Sequence, residues 1–109
     1  MGALQIDVEA LAERLSAGDR PFILDVREPW EFEICSLEAS MNIPLGELSR
    51  RFDAEAVAEG QEVVVVCHHG MRSMQATLWL RAQGVDGAIN LTGGIDRWAQ
   101  VAAPGMARY

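Results

Sequence analysis

Residues 63–73 have the sequence Val63-Val64-Val65-Val66-Cys67-His68-His69-Gly70-Met71-Arg72-Ser73, and this stretch decides the fold. Four consecutive β-branched apolar residues predict a strand that is covered on both faces, as in the middle of a parallel sheet. Ser73 is a natural N-cap, so the sequence predicts a following helix from Met74 to Gln83 that ends at Gly84. A buried strand that leads through a short polar loop into a helix indicates an α/β domain.

The segments on either side of this stretch alternate between apolar runs and helical spacing. Further strands are predicted at Leu4 to Ile6, Phe22 to Val26, Met41 to Ile43 and Ala88 to Leu91. Further helices are predicted after Asp7 as N-cap, from Pro29, from Leu45 to Phe52 and from Ile95 to Val101. This alternation predicts a mainly parallel sheet with right-handed crossovers, in one domain that spans residues 1–109.

Composition and charge exclude several classes of function. The chain has a formal net charge of -7, which disfavours binding to nucleic acid or to anionic membrane surfaces. It contains no apolar run long enough to span a bilayer. Two cysteines in 109 residues do not form a disulfide framework, so we expect free thiols and a cytoplasmic, reducing environment.

Cys67 is the candidate for chemistry, because it follows the predicted central strand. In an open parallel sheet, ligands bind beyond the carboxyl ends of the strands. The N-terminus of the next helix carries partial positive charge, and loop amides wrapped over it can converge on one anion and favour a thiolate. Gly70 permits backbone conformations that are closed to other residues, while Arg72 supplies a fixed cation and His68 and His69 can add charge. The sequence therefore predicts a functional thiol rather than a buried structural one.

Several motifs along the chain together resemble those of one known family. They are Asp25-Val26-Arg27-Glu28-Pro29-Trp30-Glu31-Phe32, Asn42-Ile43-Pro44, Val64 to Ser73, and Asn90-Leu91-Thr92-Gly93-Gly94-Ile95-Asp96-Arg97-Trp98. On these motifs, which cover nearly the whole chain in the family's order, the protein resembles the single-domain rhodaneses, a family of sulfurtransferases. The resemblance implies a rhodanese-like α/β fold with about five short parallel strands and helices on both faces.

The resemblance also implies a reaction. The Cys67 thiolate would attack the outer sulfur of thiosulfate or of another persulfide, and sulfite or a thiolate would leave. A thiol or a sulfur-carrier protein would then accept the sulfur from the Cys67 persulfide. The anion loop would consist of His68, His69, Gly70, Met71, Arg72 and Ser73, with Arg72 binding the anionic end of the donor. Neither a cofactor nor a metal is implied, and adjacent Cys and His residues rarely converge on one ion.

Some roles remain open at the level of the sequence. Arg72 could instead form a surface ion pair. The resemblance implies that Asp25 and Arg27 brace the active loop, although an Arg27–Glu31 structural ion pair is an equal alternative. Where the family usually shows Gly-His-Ile, this chain has Cys35-Ser36-Leu37, and Cys35 could either resolve a Cys67 persulfide or pack as a small buried thiol.

Two other functions compete with sulfur transfer catalysed by the chain itself. One is a cysteine phosphatase, whose Cys-to-Arg loop is one residue longer and which needs a general acid that we do not find here. The other is a persulfide carrier or binding module that serves a partner protein. The closing stretch, residues 103–109, resembles the tail of rhodanese domains fused to enzymes that activate sulfur-carrier proteins.

Overall fold

The computed structural model describes residues 3–54, 57–58 and 60–109. Its sheet has five parallel strands in the order β1-β5-β4-β2-β3. The strands are β1 (Gln5–Ile6), β2 (Phe22–Asp25), β3 (Met41–Asn42), β4 (Val63–Val66) and β5 (Ala88–Leu91). The predicted mainly parallel α/β sheet of about five short strands is therefore confirmed.

The helices alternate with the strands along the chain. They are α1 (Val8–Ser16), α2 (Pro29–Ile34), α3 (Leu48–Arg51), α4 (Met71–Ala82) and α5 (Gly94–Val101), with a 3-10 turn at Leu45–Glu47 before α3. The side chain of Asp7 accepts a hydrogen bond of 2.7 Å from the Ala10 N–H, which confirms the predicted N-cap of α1. Among the described residues, no helix is both long and apolar enough to cross a bilayer.

The central strand β4 is covered on both faces, as its run of valines predicts. Val63 and Val65 pack with Leu80 of α4 on one face, while Val64 and Val66 pack with residues of α1 and α5 on the other. All four valines are at most 1% exposed. Fully burying a valine side chain contributes about 1.5–3 kcal/mol, so this strand is a major source of the core's stability.

The structure corrects two of the predicted helix boundaries. Helix α4 begins at Met71 rather than Met74, because Gly70 takes a φ of 107° and is the N-cap in place of Ser73. Ser73 lies within the first turn of the helix and is fully buried. The predicted helix from Leu45 to Phe52 is divided into the 3-10 turn and the short helix α3.

The sheet order brings three polar segments to one edge. The strand β4 lies between β2 and β5, and all three strands run in the same direction. Their carboxyl ends therefore place Asp25, Cys67 and Asn90 at the same edge of the sheet. This is the edge at which open parallel sheets bind ligands.

Candidate active site

The sulfur of Cys67 meets two hydrogen-bond donors at the end of β4. Its Sγ lies 3.1 Å from the Gly70 backbone N–H and 3.2 Å from the Ser73 hydroxyl. Cys67 is 1% exposed, and its other contacts are with the apolar cluster on the α4 side of the sheet. The sulfur therefore sits at the boundary between the core and the loop, where the donors suit a negatively charged sulfur.

The backbone of the loop is held by the start of α5. The carbonyl oxygens of Cys67 and His68 accept hydrogen bonds of 2.8 and 3.0 Å from the Ile95 and Asp96 N–H groups. With the carbonyls turned toward α5, the chain reverses at Gly70, whose positive φ confirms that the loop needs glycine there. In the described part of the chain, the Gly70 amide is the loop amide that donates to Sγ itself, and the convergence of several loop amides on a bound anion or persulfide remains a prediction.

The Ser73 hydroxyl belongs to a chain of polar groups that extends to the surface. Ser73 also donates to the Oδ1 of Asn90, the Nδ2 of Asn90 donates to Gln5 Oε1 at 3.3 Å, and Thr92 donates to the same oxygen. Asn90 is 2% exposed, whereas Gln5 is exposed. The sequence analysis did not assign a role to Asn90, although one amide in the apolar strand Ala88–Leu91 is a signal that could have identified it.

Arg72 is partly exposed and reaches toward α2, where it forms a bidentate ion pair with Glu31. Its Nη1 and Nη2 lie 2.6 and 2.9 Å from the two carboxylate oxygens of Glu31. The hydrogen bond from Arg72 holds the pKa of Glu31 at about 2, well below its ordinary value of 4.5. Arg72 thus forms the ion pair that the sequence left open, and its role toward a donor remains a prediction.

Arg27 is fully buried and does not pair with the side chain of Glu31. Its guanidinium bonds both carboxylate oxygens of Asp25, at 2.9 Å from Nε to Oδ1 and 2.6 Å from Nη2 to Oδ2. The contact to Glu31 is to its backbone carbonyl, so the alternative of an Arg27–Glu31 ion pair is wrong. Arg27 also donates to the Cys35 carbonyl, so it holds both the middle and the C-terminal end of α2. The Asp25–Arg27 pair thus braces the helix that carries Glu31.

Tyr109 packs against this site from the far end of the chain. Its hydroxyl donates to Glu31 at 2.8 Å and accepts from Arg27 at 3.0 Å. Its ring stacks on His68 at 4.0 Å and meets the edge of Trp30 at 5.9 Å. No local sequence motif predicts the contact between Tyr109 and Arg27, because the two residues are 82 positions apart in the sequence.

His68 and His69 lie close to Asp96, whereas Cys67 is not part of this group. One side-chain donor atom from each residue lies within 4.8 Å of the other two. The Asp96 carboxylate already accepts from Arg108 at 2.9 Å, and the two imidazole rings stack on each other at 4.1 Å. Burial, followed by the charge of His69, lowers the pKa of His68 and favours its neutral form. The expectation that the site uses no metal remains a prediction.

An open groove of about 470 Å³ lies beside the loop. Its lining includes Gly70, Met71, Arg72, Met74 and Asn90. Among these residues, Gly70 donates a hydrogen bond directly to the Cys67 sulfur, and Asn90 is linked to the sulfur through the Ser73 hydroxyl. The groove therefore brings a cavity of small-molecule size next to the buried thiol.

Comparisons with known proteins agree with this architecture. The chain is 31% identical over 103 residues to a sulfurtransferase of Allochromatium vinosum, with 94% of each protein covered. It is 34% identical over 94 residues to YrkF of Bacillus subtilis, covering 86% of this chain and 50% of YrkF. The human single-domain sulfurtransferase TSTD1 superposes with a TM-score of 0.79 and 28% identity, over 92% of this chain and 98% of that one.

Other relatives are longer than this chain. It is 31% identical to the adenylyltransferase and sulfurtransferase MOCS3 of Arabidopsis thaliana, covering 96% of this chain and 26% of MOCS3. The chain thus spans half of one relative and about a quarter of another. The family model for the rhodanese-like domain matches residues 7–101, a range that holds four of the five strands, the Cys67 loop and α5. The chain therefore belongs to the rhodanese-like domain family.

Proposed function

We propose that this protein is a sulfurtransferase that carries a sulfane sulfur on Cys67. The observation that carries the proposal is the pair of donors at Sγ, the Gly70 amide at 3.1 Å and the Ser73 hydroxyl at 3.2 Å. Hydrogen bonds to a charged sulfur are stronger than those to a neutral one, so this pair would stabilise negative charge at the sulfur during transfer. Relatives named sulfurtransferase that match over nearly their full length support the same assignment.

The reaction divides into two displacements at sulfur. In the first, the Cys67 thiolate attacks the outer sulfur of the donor, the S–S bond of the donor breaks, and sulfite or a thiolate leaves with the bonding electron pair. In the second, a nucleophilic acceptor attacks the outer sulfur of the Cys67 persulfide. The S–S bond breaks again, and the Cys67 thiolate is restored. No net oxidation occurs, because the sulfane sulfur moves between sulfur or carbon nucleophiles.

The remaining residues of the loop would bind the transferred sulfur. The Gly70 amide and the Ser73 hydroxyl both lie at Sγ. They would donate first to Sγ and then to the terminal sulfur of the persulfide, as the negative charge moves from one to the other. Arg72 would contact the donor beside the sulfur through guanidinium N–H groups that Glu31 does not use. Asp25 and Arg27 act at a distance, by holding α2 and Glu31 in place.

A second candidate function is a persulfide carrier that serves a dedicated protein partner. It is favoured by the names of two relatives, since YrkF carries the name of a sulfur carrier and MOCS3 joins a sulfurtransferase to an adenylyltransferase. A carrier would hold sulfur on Cys67 as an enzyme does but would release it slowly to small acceptors. The two candidates therefore differ in turnover rather than in the site.

The test compares the wild-type chain with Cys67→Ser and Cys35→Ser. We expect wild type and Cys35→Ser to form thiocyanate from a sulfur donor and cyanide, and Cys67→Ser to lose this activity while it keeps its circular dichroism spectrum. Intact-mass spectrometry after donor treatment should show one added sulfur on Cys67. Added sulfur without turnover would favour the carrier, and equal turnover by Cys67→Ser would overturn the proposal.

A further inference from the structure

We propose that Glu31 sets the donor specificity of this site by pairing with Arg72, and that the site takes organic persulfides in preference to thiosulfate. The inference rests on the proposed sulfur transfer at Cys67. It assigns to Glu31 a role in positioning and neutralising Arg72, and it narrows the donor to one chemical class.

The cation expected to receive an anionic donor already has a partner. Arg72 bonds both oxygens of Glu31, whose side chain is 5% exposed, while the side chain of Arg72 is 36% exposed. The hydrogen bond from Arg72 keeps Glu31 ionised at neutral pH, with a pKa of about 2. An approaching anion therefore meets a positive charge that is paired with a negative charge in direct contact, which weakens its attraction to Arg72.

The other cations around the loop are also neutralised. Arg27 is paired with Asp25, and Arg108 is paired with Asp96. Burial lowers the pKa of His68, which therefore adds little positive charge at neutral pH. The whole chain carries a formal net charge of -7, so its long-range field also opposes anions. A dianion would thus enter the site without a countercharge.

The two classes of donor differ in what they need from such a site. Thiosulfate is a dianion. When the Cys67 thiolate attacks its outer sulfur, sulfite leaves and carries the charge of the inorganic fragment. An organic persulfide carries at most one charge on its sulfurs, and its attack releases a thiolate as the S–S bond breaks. The Glu31–Arg72 pair still offers N–H donors to a sulfur atom, but it offers no net charge to a sulfonate-like group.

The surroundings of the ion pair suit an organic group. Trp30, next to Glu31, is 60% exposed, and Met71, next to Arg72, is 81% exposed. Met71 and Met74 line the groove of about 470 Å³ beside the loop, which is much larger than thiosulfate requires. Exposed thioether groups along a groove favour contact with an apolar or peptidic fragment over contact with a small inorganic ion.

The experiment measures kcat/KM for two donors, thiosulfate and cysteine persulfide, with cyanide as acceptor and thiocyanate as product. Cys67→Ser provides the blank for direct reaction of the persulfide with cyanide. We expect wild type to prefer cysteine persulfide at least tenfold. A persulfidated cysteine peptide, used in a third arm, distinguishes a protein source of the sulfur from a small thiol.

The decisive variant is Glu31→Gln, which leaves Arg72 with an uncompensated charge. We expect its preference for the persulfide to fall about tenfold, through a lower KM for thiosulfate rather than a higher kcat. Loss of packing alone would lower activity with both donors and would not produce this gain. Glu62→Gln, which removes a carboxylate from an ion pair with Arg14 and changes the net charge equally, should keep the wild-type ratio.

The outcomes distinguish a failure of the donor preference from a failure of the proposed sulfur transfer. Wild-type turnover of thiosulfate with a kcat/KM equal to or above that of the persulfide would overturn the inference and leave sulfur transfer intact. A ratio in Glu31→Gln that matches Glu62→Gln would also overturn it. Absence of Cys67-dependent transfer from every donor would overturn the proposed function itself. If Glu31→Gln does not fold, as judged by circular dichroism, the wild-type ratio decides the inference.

Discussion

The hydroxyl oxygen of Ser73 lies 3.2 Å from the Sγ of Cys67, and neither residue is more than 1% exposed. A hydroxyl carries one proton, and the Oδ1 of Asn90 accepts from the same Ser73 oxygen. Donation to sulfur and donation to Asn90 therefore compete. A negative charge on Cys67 or on its persulfide shifts this competition toward sulfur, because bonds to charged acceptors are the stronger ones.

We expect Ser73→Ala to lower the kcat of sulfur transfer about tenfold or more, because a hydrogen bond to a charged group contributes about 1.5–3 kcal/mol. The measurement is steady-state turnover with a saturating donor. Thr77→Val is the matched control, since it removes another buried hydroxyl of α4, one that donates to the Ser73 carbonyl at 2.7 Å. Unchanged turnover in Ser73→Ala would show that the hydroxyl takes no part in catalysis.

Gly94→Ala should destabilise the protein by about 3 kcal/mol or more, because an added Cβ overpacks the core against rigid backbone. That Cβ would lie 2.4 Å from the Cys67 carbonyl oxygen and 2.5 Å from that of His68. Gly84→Ala is the control, with a positive φ but no heavy atom within 4 Å of the new Cβ, and should cost about 1–2 kcal/mol. Urea unfolding measures both, and equal losses would show that the contact between α5 and the loop is not tight.

The sequence was sufficient to predict the order of the elements and the position of Cys67 because these depend on local pattern. The run Val63–Val66 is apolar at every position, so burial on both faces follows directly, and a parallel sheet follows from that. The helix start was predicted wrongly for a local reason as well. Serine has a strong preference for the N-cap, but the positive φ of Gly70 turns the chain three residues earlier.

The partners of the candidate site residues could not be predicted, because they are set by tertiary packing. Glu31 and Arg72 are 41 residues apart, and only the adjacency of β2 and β4 brings α2 beside α4. From the sequence, an ion pair between Arg27 and Glu31 was an alternative to a bracing role of Asp25 and Arg27. In the structure, Arg27 precedes α2 and turns toward Asp25, which leaves Glu31 available to Arg72.

The Glu31–Arg72 pair predicts a defined loss of stability in acid. The pKa of Glu31 falls from 4.5 to about 2 on folding, so its contribution is complete above pH 4.5 and is lost as the pH falls through about 2. We expect this contribution to be about 2 kcal/mol, after allowance for the partial exposure of Arg72. Urea unfolding at several pH values measures it as the difference between wild type and Glu31→Gln.

That difference should shrink between pH 4.5 and pH 2, while other carboxylates with lowered pKa values, Asp19 and Asp96, contribute equally to both proteins and cancel. Arg72→Gln removes the cause of the shift and should show the same loss of pH dependence as Glu31→Gln. A difference that stays constant over this pH range would mean that Glu31 is not held ionised by Arg72 in solution.

Tyr109 provides the last prediction, because it is the only tyrosine in the chain and its ionisation can be observed alone. Burial, and the nearby Glu31 carboxylate, raise its pKa from 10.0 to about 12, against the opposing effect of Arg27. The neutral phenol therefore stabilises the folded chain fully below pH 10, and this contribution is lost as the pH rises through about 12.

Ultraviolet absorbance of the tyrosinate should show a midpoint near pH 12 in the folded chain and near pH 10 in concentrated urea. Glu31→Gln removes one of the charges that disfavour the tyrosinate, so its folded midpoint should move toward 10. A folded midpoint already at 10 would mean that the ring is exposed in solution. In that case His68 would lose its stacking contact with Tyr109, and Glu31 would be held by Arg72 and by the Glu28 backbone N–H.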